Sequence, residues 1–563
     1  MCPLIQDDPG MPSPAESSGS ADNSRQAASS DPRIWIFRVL LVVALVARVG
    51  YWIATERVWE DALITVRHAE NAAAGHGMTH HPAQGIVHGF TSPLSVLIPL
   101  AGESLVPTSG ILVLRVSSLL ATVVVLWLGF RIATHPLVDL SAASTFFFLG
   151  YLAIEYHQVM FGMAGMETEW IVAITLFGVL SLLRDQPVWM GLACGAAMWG
   201  RPDGVVMVLA ILVTLGLAWR WKAMGVVVLV GLLVVAPWIV FCELYYGSFV
   251  PHTIVAKDTS WSVWSPEQTG AQTYLGHWGS LIASRFDLVR LWFSPVYAGC
   301  GGPVNFIRGA RPVQFVYLAI AIVGALLTLR RASTRIIAVY SGGFLAYLLL
   351  VLAIPSPWYL PPWLAVVALC FALGIDALRG SNPQSVRSRL GAFFSLGLLG
   401  LYAFAFLRAV PADAILQRDV EDQVRKPIGI WLNEQCEPDQ WISCECLGYF
   451  GYYSRRPMLD YPGLSSPRSV NALQTLPPGE RSLQALIAAE RPEWLALRPH
   501  EWAQLQEEFP EVSLLYEEVH RRAASDTTLE RLGEWLWVDG RSILIDEEFL
   551  VLRRHDIASE PSR

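Results

Sequence analysis

The strongest constraint in the sequence is a succession of long apolar runs, at residues 34–54, 111–130, 141–156, 169–183, 187–200, 203–219, 223–244, 313–329, 336–354, 358–378 and 390–408. Each is near the length an α-helix needs to cross about 30 Å of hydrocarbon at about 1.5 Å per residue. Inside a bilayer every backbone N–H and C=O must find its partner within the segment, so such runs are expected to be helical. The fold class expected is a polytopic α-helical membrane protein with about eleven transmembrane helices. Composition agrees, since 53% of the residues are hydrophobic and 16% charged, far to the apolar side of a soluble chain. The shorter apolar stretch Pro93–Leu105 holds Pro99 and Glu103 and is expected to lie at the interface, because counting it as a span would invert every later loop.

The first run is too long for a signal-peptide core and lacks a small-residue cleavage site, so it reads as an uncleaved first span. Residues 1–32, rich in Ser, Ala, Pro and Gly, are expected to form a disordered cytoplasmic tail. Cytoplasmic loops collect Lys and Arg. With the N-terminus inside, those loops receive Arg33, Arg38, Arg131, Arg184, Arg220, Lys222, Arg330, Arg331, Arg335, Arg379, Arg387 and Arg389. A membrane module over 33–409 follows, with a first outer loop at 55–110, a further outer loop at 157–168 and a long outer loop at 245–312. Residues 410–563 mix helical patterns with short apolar runs such as Ser542–Ile545 and Phe549–Leu552, and are expected to form a small extracytoplasmic α/β domain. The net charge of −8 comes mostly from that last third, and with no basic face the chain is not expected to bind nucleic acid. Cys436, Cys444 and Cys446 cluster in the tail, where a disulfide is permitted if the tail is extracytoplasmic. Zinc is the rival reading, but it lacks nearby His spacing.

Polar residues near a membrane are costly unless they stay wet or serve a purpose, so the outer loops are where chemistry is expected. Glu60 and Asp61 follow the first span directly, among apolar neighbours. Such a setting raises a carboxylate pKa and suits a general base. The structural alternative makes Asp61 the N-cap of the next helix and leaves Glu60 solvated. Arg67 and Glu70, three apart, read as a surface pair. His68, His76, His80, His81 and His88 have spacings that match no standard metal site. Further polar clusters are Gly162–Glu169, Arg201-Pro202-Asp203-Gly204 and Tyr245–Asp258. Helix breaks, an aromatic belt and an Arg201–Asp203 pair account for them individually. They do not account for carboxylates and cations gathering at several span ends on one face.

These residues resemble the bacterial C-type glycosyltransferases, especially the branch of cell-wall arabinofuranosyltransferases that use decaprenyl-phospho-arabinose. The blocks that carry the resemblance are Glu60-Asp61-Ala62-Leu63-Ile64, His68-Ala69-Glu70-Asn71, Gly75-His76-Gly77 and His88-Gly89-Phe90-Thr91-Ser92-Pro93-Leu94. Later come Gly165-Met166-Glu167-Thr168, Arg201-Pro202-Asp203-Gly204, Val250-Pro251-His252-Thr253 with Ala256-Lys257, Trp358-Tyr359-Leu360-Pro361, Leu447–Ser454 and Leu459–Leu464. They occur in the family's order. Glu60 stands where the family has Asp, and His88 where it has Glu.

The resemblance implies an inverting transfer of a sugar from a polyprenyl-phosphate carrier to a glycan, lipid or protein acceptor, outside a bacterial inner membrane. In that reading Asp61 is the general base and Glu60 its partner or a sugar ligand. Lys257, Arg201 and Tyr359 bind the donor phosphate, and His88, Thr91, Glu167 and His252 bind donor or acceptor hydroxyls. No cofactor is required, although some members of the superfamily hold a divalent cation on acidic loop residues. The competing readings are a multi-span transporter or flippase for lipid-linked sugars, a non-catalytic assembly subunit, and a transferase for another sugar such as mannose, aminoarabinose or galacturonic acid.

Overall fold

A computed structural model describes residues 31–261, 274–293, 311–352, 355–379, 384–536 and 546–556. The expected disordered tail falls outside the described residues up to residue 30, as do parts of the long outer loop and the run Ser542–Ile545. The helices are α1 (Pro32–Thr55), α2 (Glu60–Ala73), α3 (Pro93–Glu103), α4 (Gly110–Ala133), α5 (Ala142–Ile154), α6 (Tyr156–Met163), α7 (Thr168–Leu183), α8 (Pro187–Gly200), α9 (Val205–Leu217) and α10 (Trp221–Tyr246). They continue with α11 (His252–Trp261), α12 (Tyr274–Phe293), α13 (Arg311–Thr328), α14 (Arg335–Leu350), α15 (Leu360–Arg379) and α16 (Val386–Ile415).

The chain is a multi-pass membrane protein. Among the described residues five helical stretches are long and apolar enough to cross a membrane, at Pro32–Thr55, Gly110–Ala133, Trp221–Tyr246, Pro357–Arg379 and Val386–Gln435. Other expected spans are shorter helices, and the sequence shows why. The run 141–156 is cut at Glu155, whose backbone is extended and whose carboxylate caps α6 by accepting from the N–H groups of His157 and Gln158 at 3.1 and 2.8 Å. The runs 187–200 and 203–219 are separate helices, parted by Arg201, also extended, and a single 3-10 turn at Pro202–Gly204. The stretch after Ser92 is an 11-residue helix, α3, too short to span, as its composition required.

Close packing depends on small residues where backbones meet. A Cβ on Gly324 of α13 would collide with the Cys370 carbonyl of α15, and one on Gly374 with the Ile320 carbonyl. Deeper in, Arg48 of α1 pairs with Glu169 of α7 at 2.8 Å, both 1% exposed. It also donates to the Ala153 carbonyl at 2.8 Å, and Thr122 donates to Glu169 at 3.2 Å. One buried pair thus joins α1, α4, α5 and α7.

Two polar layers lie at opposite ends of the helices. At one end Arg33 meets Asp139 at 2.8 Å, and Asp376 accepts from the Ser141 and Ser144 hydroxyls at 2.6 Å each. At the other, Arg115 at the start of α4 donates to the carbonyls of Met163 at 2.7 Å and Arg57 at 2.8 Å.

The expected boundary at 409/410 falls inside one continuous helix, because α16 runs on without a break through a π-helical segment (Leu416–Arg425) into α17 (Lys426–Gln435). The tail then forms β1 (Ile442–Cys444), α18 (Leu447–Ser454), β2 (Met458–Asp460), α19 (Pro467–Gln474), α20 (Leu483–Glu490), β3 (Trp494–Leu497), α21 (Pro499–Glu508), α22 (Pro510–Ser513), β4 (Tyr516–Ala523), α23 (Asp526–Leu536) and β5 (Glu548–Arg554). The sheet order is β2-β1-β3-β5-β4, parallel from β2 to β3 and antiparallel beyond. Alternate residues of β3 and β5 face two cores: Trp494, Ala496, Phe549 and Val551 pack with Ile428 and Phe450, while Leu495, Leu497, Leu550 and Leu552 pack with Ile487 and Leu505. Cover on both faces explains the unbroken apolar runs of β3 and of Phe549–Leu552 in β5, whereas β4 at the edge is polar. Ile64 of α2 joins the first of these cores, so the tail sits directly on the segment 55–110. The three clustered cysteines are buried free thiols rather than a disulfide, each packed in that same core.

Gly324→Ala is expected to lower the melting temperature in detergent by several degrees, from about 1–3 kcal/mol of overpacking. Gly342→Ala, whose Cβ would meet nothing within 4 Å, is expected to leave it unchanged.

Candidate active site

α1 ends where Glu56 turns left-handed at φ 51°, which redirects the chain inward toward α2. Trp59, not Asp61, is the N-cap of α2, and its N–H donates to the Ala164 carbonyl at 2.9 Å. Glu60 and Asp61 are the first two residues of the helix. The capping alternative is thereby corrected, and so is a solvated Glu60: its carboxylate accepts from the Gly448 N–H at 3.0 Å and pairs with Arg425. Among the described residues the Asp61 carboxylate has no hydrogen-bond partner. It faces a cavity of about 530 Å³ lined also by Glu60, Thr91, Glu167, Arg201, Lys257 and Tyr359.

Each wall has a local cause. Thr253, Lys257 and Trp261 of α11 recur every four residues and so share one helix face, which fronts the cavity. Thr91 precedes Ser92, whose hydroxyl caps α3 by accepting from the Ser95 N–H at 3.3 Å. Gly165, at φ 97°, turns the chain so that Glu167 enters the site. Arg201 is brought in by the break between α8 and α9. It pairs with Asp203 at 3.1 Å, donates to the Trp358 carbonyl at 2.9 Å and lies 5.1 Å from the Tyr359 ring centroid.

The charges are not equivalent. Burial pushes the Asp61 carboxyl up to about 6; Lys257 opposes that rise, while Glu60, Glu167 and Glu445 add to it. Burial also raises Glu167, against the pull of Arg201. Arg201 is committed to Asp203 and a backbone carbonyl, whereas Lys257 has no ion-pair partner among the described residues. The site thus sets a carboxylate poised near neutrality against one uncommitted cation.

Two expected site residues are not brought together with the rest. His88 stacks on Tyr246, ring centroids 4.6 Å apart and 8° from parallel, with Phe90 at 4.9 Å. Burial holds its imidazole down at about 4, so it packs as a neutral ring beside the cavity. The His252 N–H donates to the His88 carbonyl at 3.0 Å, which fixes the start of α11 rather than lining the site. Arg67 and Glu70 are not a surface pair. They are 9% and 11% exposed and 3.0 Å apart, and Tyr452 of the tail donates to Glu70 at 2.7 Å.

Sequence reading missed the tail's share of the wall, Glu445, Tyr461, Pro462 and Leu464. Asp460 shapes that turn by accepting from the Leu464 and Ser465 N–H groups, and burial pushes its carboxyl up to about 7. The block Leu459–Leu464 was visible in sequence, but nothing local placed it against α2.

Glu60, Cys446 and Asp546 present ligand atoms within 4.8 Å of one another. Arg425 pairs with Glu60 and lies 3.5 Å from Asp546, and Arg498 lies 2.6 Å from Asp546 and 2.8 Å from the Cys446 sulfur. Two guanidiniums already neutralise the cluster, so it does not fit a cation. The histidines do not converge as ligands among the described residues.

The raised Asp61 carboxyl has a testable cost. A group whose folded pKa exceeds its unfolded value favours the native state while protonated, and that contribution is lost as pH rises through the folded pKa. Asp61→Asn is therefore expected to melt above the wild type at pH 8, with the difference closing between pH 6 and pH 4 in thermal scans.

Residues 414–538 match a family described as a domain of unknown function, DUF8728, and no curated protein matches the sequence. The structure is similar to ArnT from Cupriavidus metallidurans in the apo state, with a TM-score of 0.50 at 11% identity, covering 95% of this chain and 100% of that one. It is also similar to the apo oligosaccharyltransferase of Archaeoglobus fulgidus, with a TM-score of 0.52 at 13% identity, covering 87% of this chain and 73% of that one. At these identities the likeness shows the fold, which is the C-type glycosyltransferase fold.

Proposed function

We propose that the protein is a membrane glycosyltransferase. In this reading it takes a sugar from a polyprenyl-phosphate carrier and passes it, with inversion, to an acceptor hydroxyl at the outer face of a bacterial inner membrane. The observation that carries the reading is Asp61: a carboxyl raised to about 6, without a hydrogen-bond partner among the described residues, on the wall of a cavity that Lys257 also lines. The acceptor oxygen attacks the anomeric carbon as its proton passes to Asp61, and the bond from that carbon to the phosphate oxygen breaks. Polyprenyl phosphate leaves with the electron pair. A base with a pKa near 6 is ionised at neutral pH yet still basic enough to accept the proton.

Lys257 takes the phosphate charge that grows as the bond breaks. Arg201, committed to Asp203, holds Tyr359 in place by its ring face and adds positive field behind it. Thr91 and Glu167 meet sugar or acceptor hydroxyls. Lys257, the uncommitted cation of the cavity among the described residues, suits a monophosphate carrier. The resemblance in the sequence blocks points to a pentose of the arabinofuranose kind, and mannose, aminoarabinose and galacturonic acid are the other donors to be tried.

The test is transfer by purified protein from a panel of radiolabelled polyprenyl-phospho-sugars into membrane extract. Wild type is expected to transfer one sugar, with kcat/KM rising through pH 6 and level above pH 7. Asp61→Asn is expected to lose about 100-fold or more in kcat, and Lys257→Ala to weaken both donor binding and kcat. Transfer from no donor would turn the assignment toward a transporter or an assembly subunit.

A further inference from the structure

The tail does more than roof the cavity. The four residues before Asp61 are held at several successive points by groups far away in sequence. Arg57 pairs with Glu421 at 3.1 Å. Val58 donates its N–H to the Gln417 side-chain oxygen at 3.0 Å and accepts at its carbonyl from the Tyr449 hydroxyl at 3.1 Å. Glu60 pairs with Arg425 and accepts from the Gly448 N–H. Gly448 approaches so closely that a Cβ there would collide with the Glu60 backbone.

Arg425 is the hub of this ladder. It is 3% exposed, pairs with Glu60, lies 3.1 Å from Glu421 and 3.5 Å from Asp546, and rests 4.8 Å from the Tyr449 ring centroid. From Asp546 the chain of ion pairs continues to Arg498 and to Glu445 at 2.9 Å, and Glu445 is itself on the cavity wall. The ladder therefore starts beside Asp61 and ends across the cavity from it, and most of its members lie in the segment that matches a domain of unknown function.

We propose that Arg425 is a positioning residue that fixes residues 57–60 and thereby the direction of the Asp61 carboxylate, and that the tail's task is to hold the base in place. This rests on Asp61 being the base. The groups that face Asp61 are Lys257 of α11, Glu60 of its own helix, Glu167 ahead of α7 and Glu445 of the tail; Arg425 acts on it through Glu60. A base displaced by about an ångström loses on the order of 100-fold in rate while leaving donor binding alone.

The experiment compares wild type, Arg425→Gln, Arg425→Lys and Gln417→Ala in the full chain, by hydrogen exchange and by the transfer assay. For Arg425→Gln, exchange across 57–63 is expected to rise about tenfold or more while the membrane helices keep their protection. In the same variant kcat is expected to fall about 10–100-fold with donor KM within about threefold, and Arg425→Lys to recover part of the loss. Gln417→Ala, which removes a neutral contact to Val58, is expected to show the same pattern more weakly, and it decides the matter if Arg425→Gln does not fold. Unchanged exchange at 57–63, or unchanged kcat with raised exchange, overturns the proposal; so does a loss of kcat matched by an equal rise in donor KM. If wild type transfers from no donor the transferase reading fails by itself, and the exchange data still decide whether the ladder holds the loop.

Discussion

The ion ladder from Arg57 through Glu421, Arg425 and Asp546 to Arg498 is the interaction on which the site depends. Burying a charge costs several kcal/mol unless opposite charges and hydrogen bonds surround it. Here Arg425 is shared by three carboxylates, and Arg498 by Glu445, Glu501 and Asp546. Removing one member strands its neighbours, so the ladder specifies one arrangement more than it stabilises the fold. Its anchor points lie in residues 57–60, in the long helical stretch Val386–Gln435 and in the tail around its sheet. These parts are therefore one unit around the cavity, in spite of the sequence distance between them.

Against that scaffold the useful charges are those left unspent. Glu60 and Arg201 line the cavity but are tied to Arg425 and Asp203, while Asp61 and Lys257 face it unpaired among the described residues. The same division appears in the membrane module, where Arg48 and Glu169 are buried together and spent on each other, on Thr122 and on the Ala153 carbonyl. A charge fully matched in the native state stabilises or positions. A charge held dry and only partly compensated keeps a shifted pKa and can respond to a substrate.

Much of the site was legible in sequence because the bilayer sorts residues. Asp61, Thr91, Glu167, Arg201, Lys257 and Tyr359 all fall in the polar blocks between apolar runs or at the edges of those runs, and the structure brings them to one cavity. His88 and His252 do not line the cavity: the His88 ring is packed among Phe90, Tyr246 and Trp238, and the His252 N–H is spent on the His88 carbonyl. The lengths of the spans were less legible. Glu155 looks like an ordinary flanking residue, yet it extends the backbone and cuts the run 141–156 into two shorter helices.

The sequence by itself determined the multi-span helical class and the candidates for base and phosphate ligand. Apolar length and charge placement are local properties that a membrane reads directly. Only the tertiary structure decided which of those charges are free, that Glu445 and the turn at Tyr461–Leu464 complete the wall, and that the clustered cysteines stay as thiols. Pairing is settled by which side chains meet across hundreds of residues, and no local pattern in the chain encodes that approach.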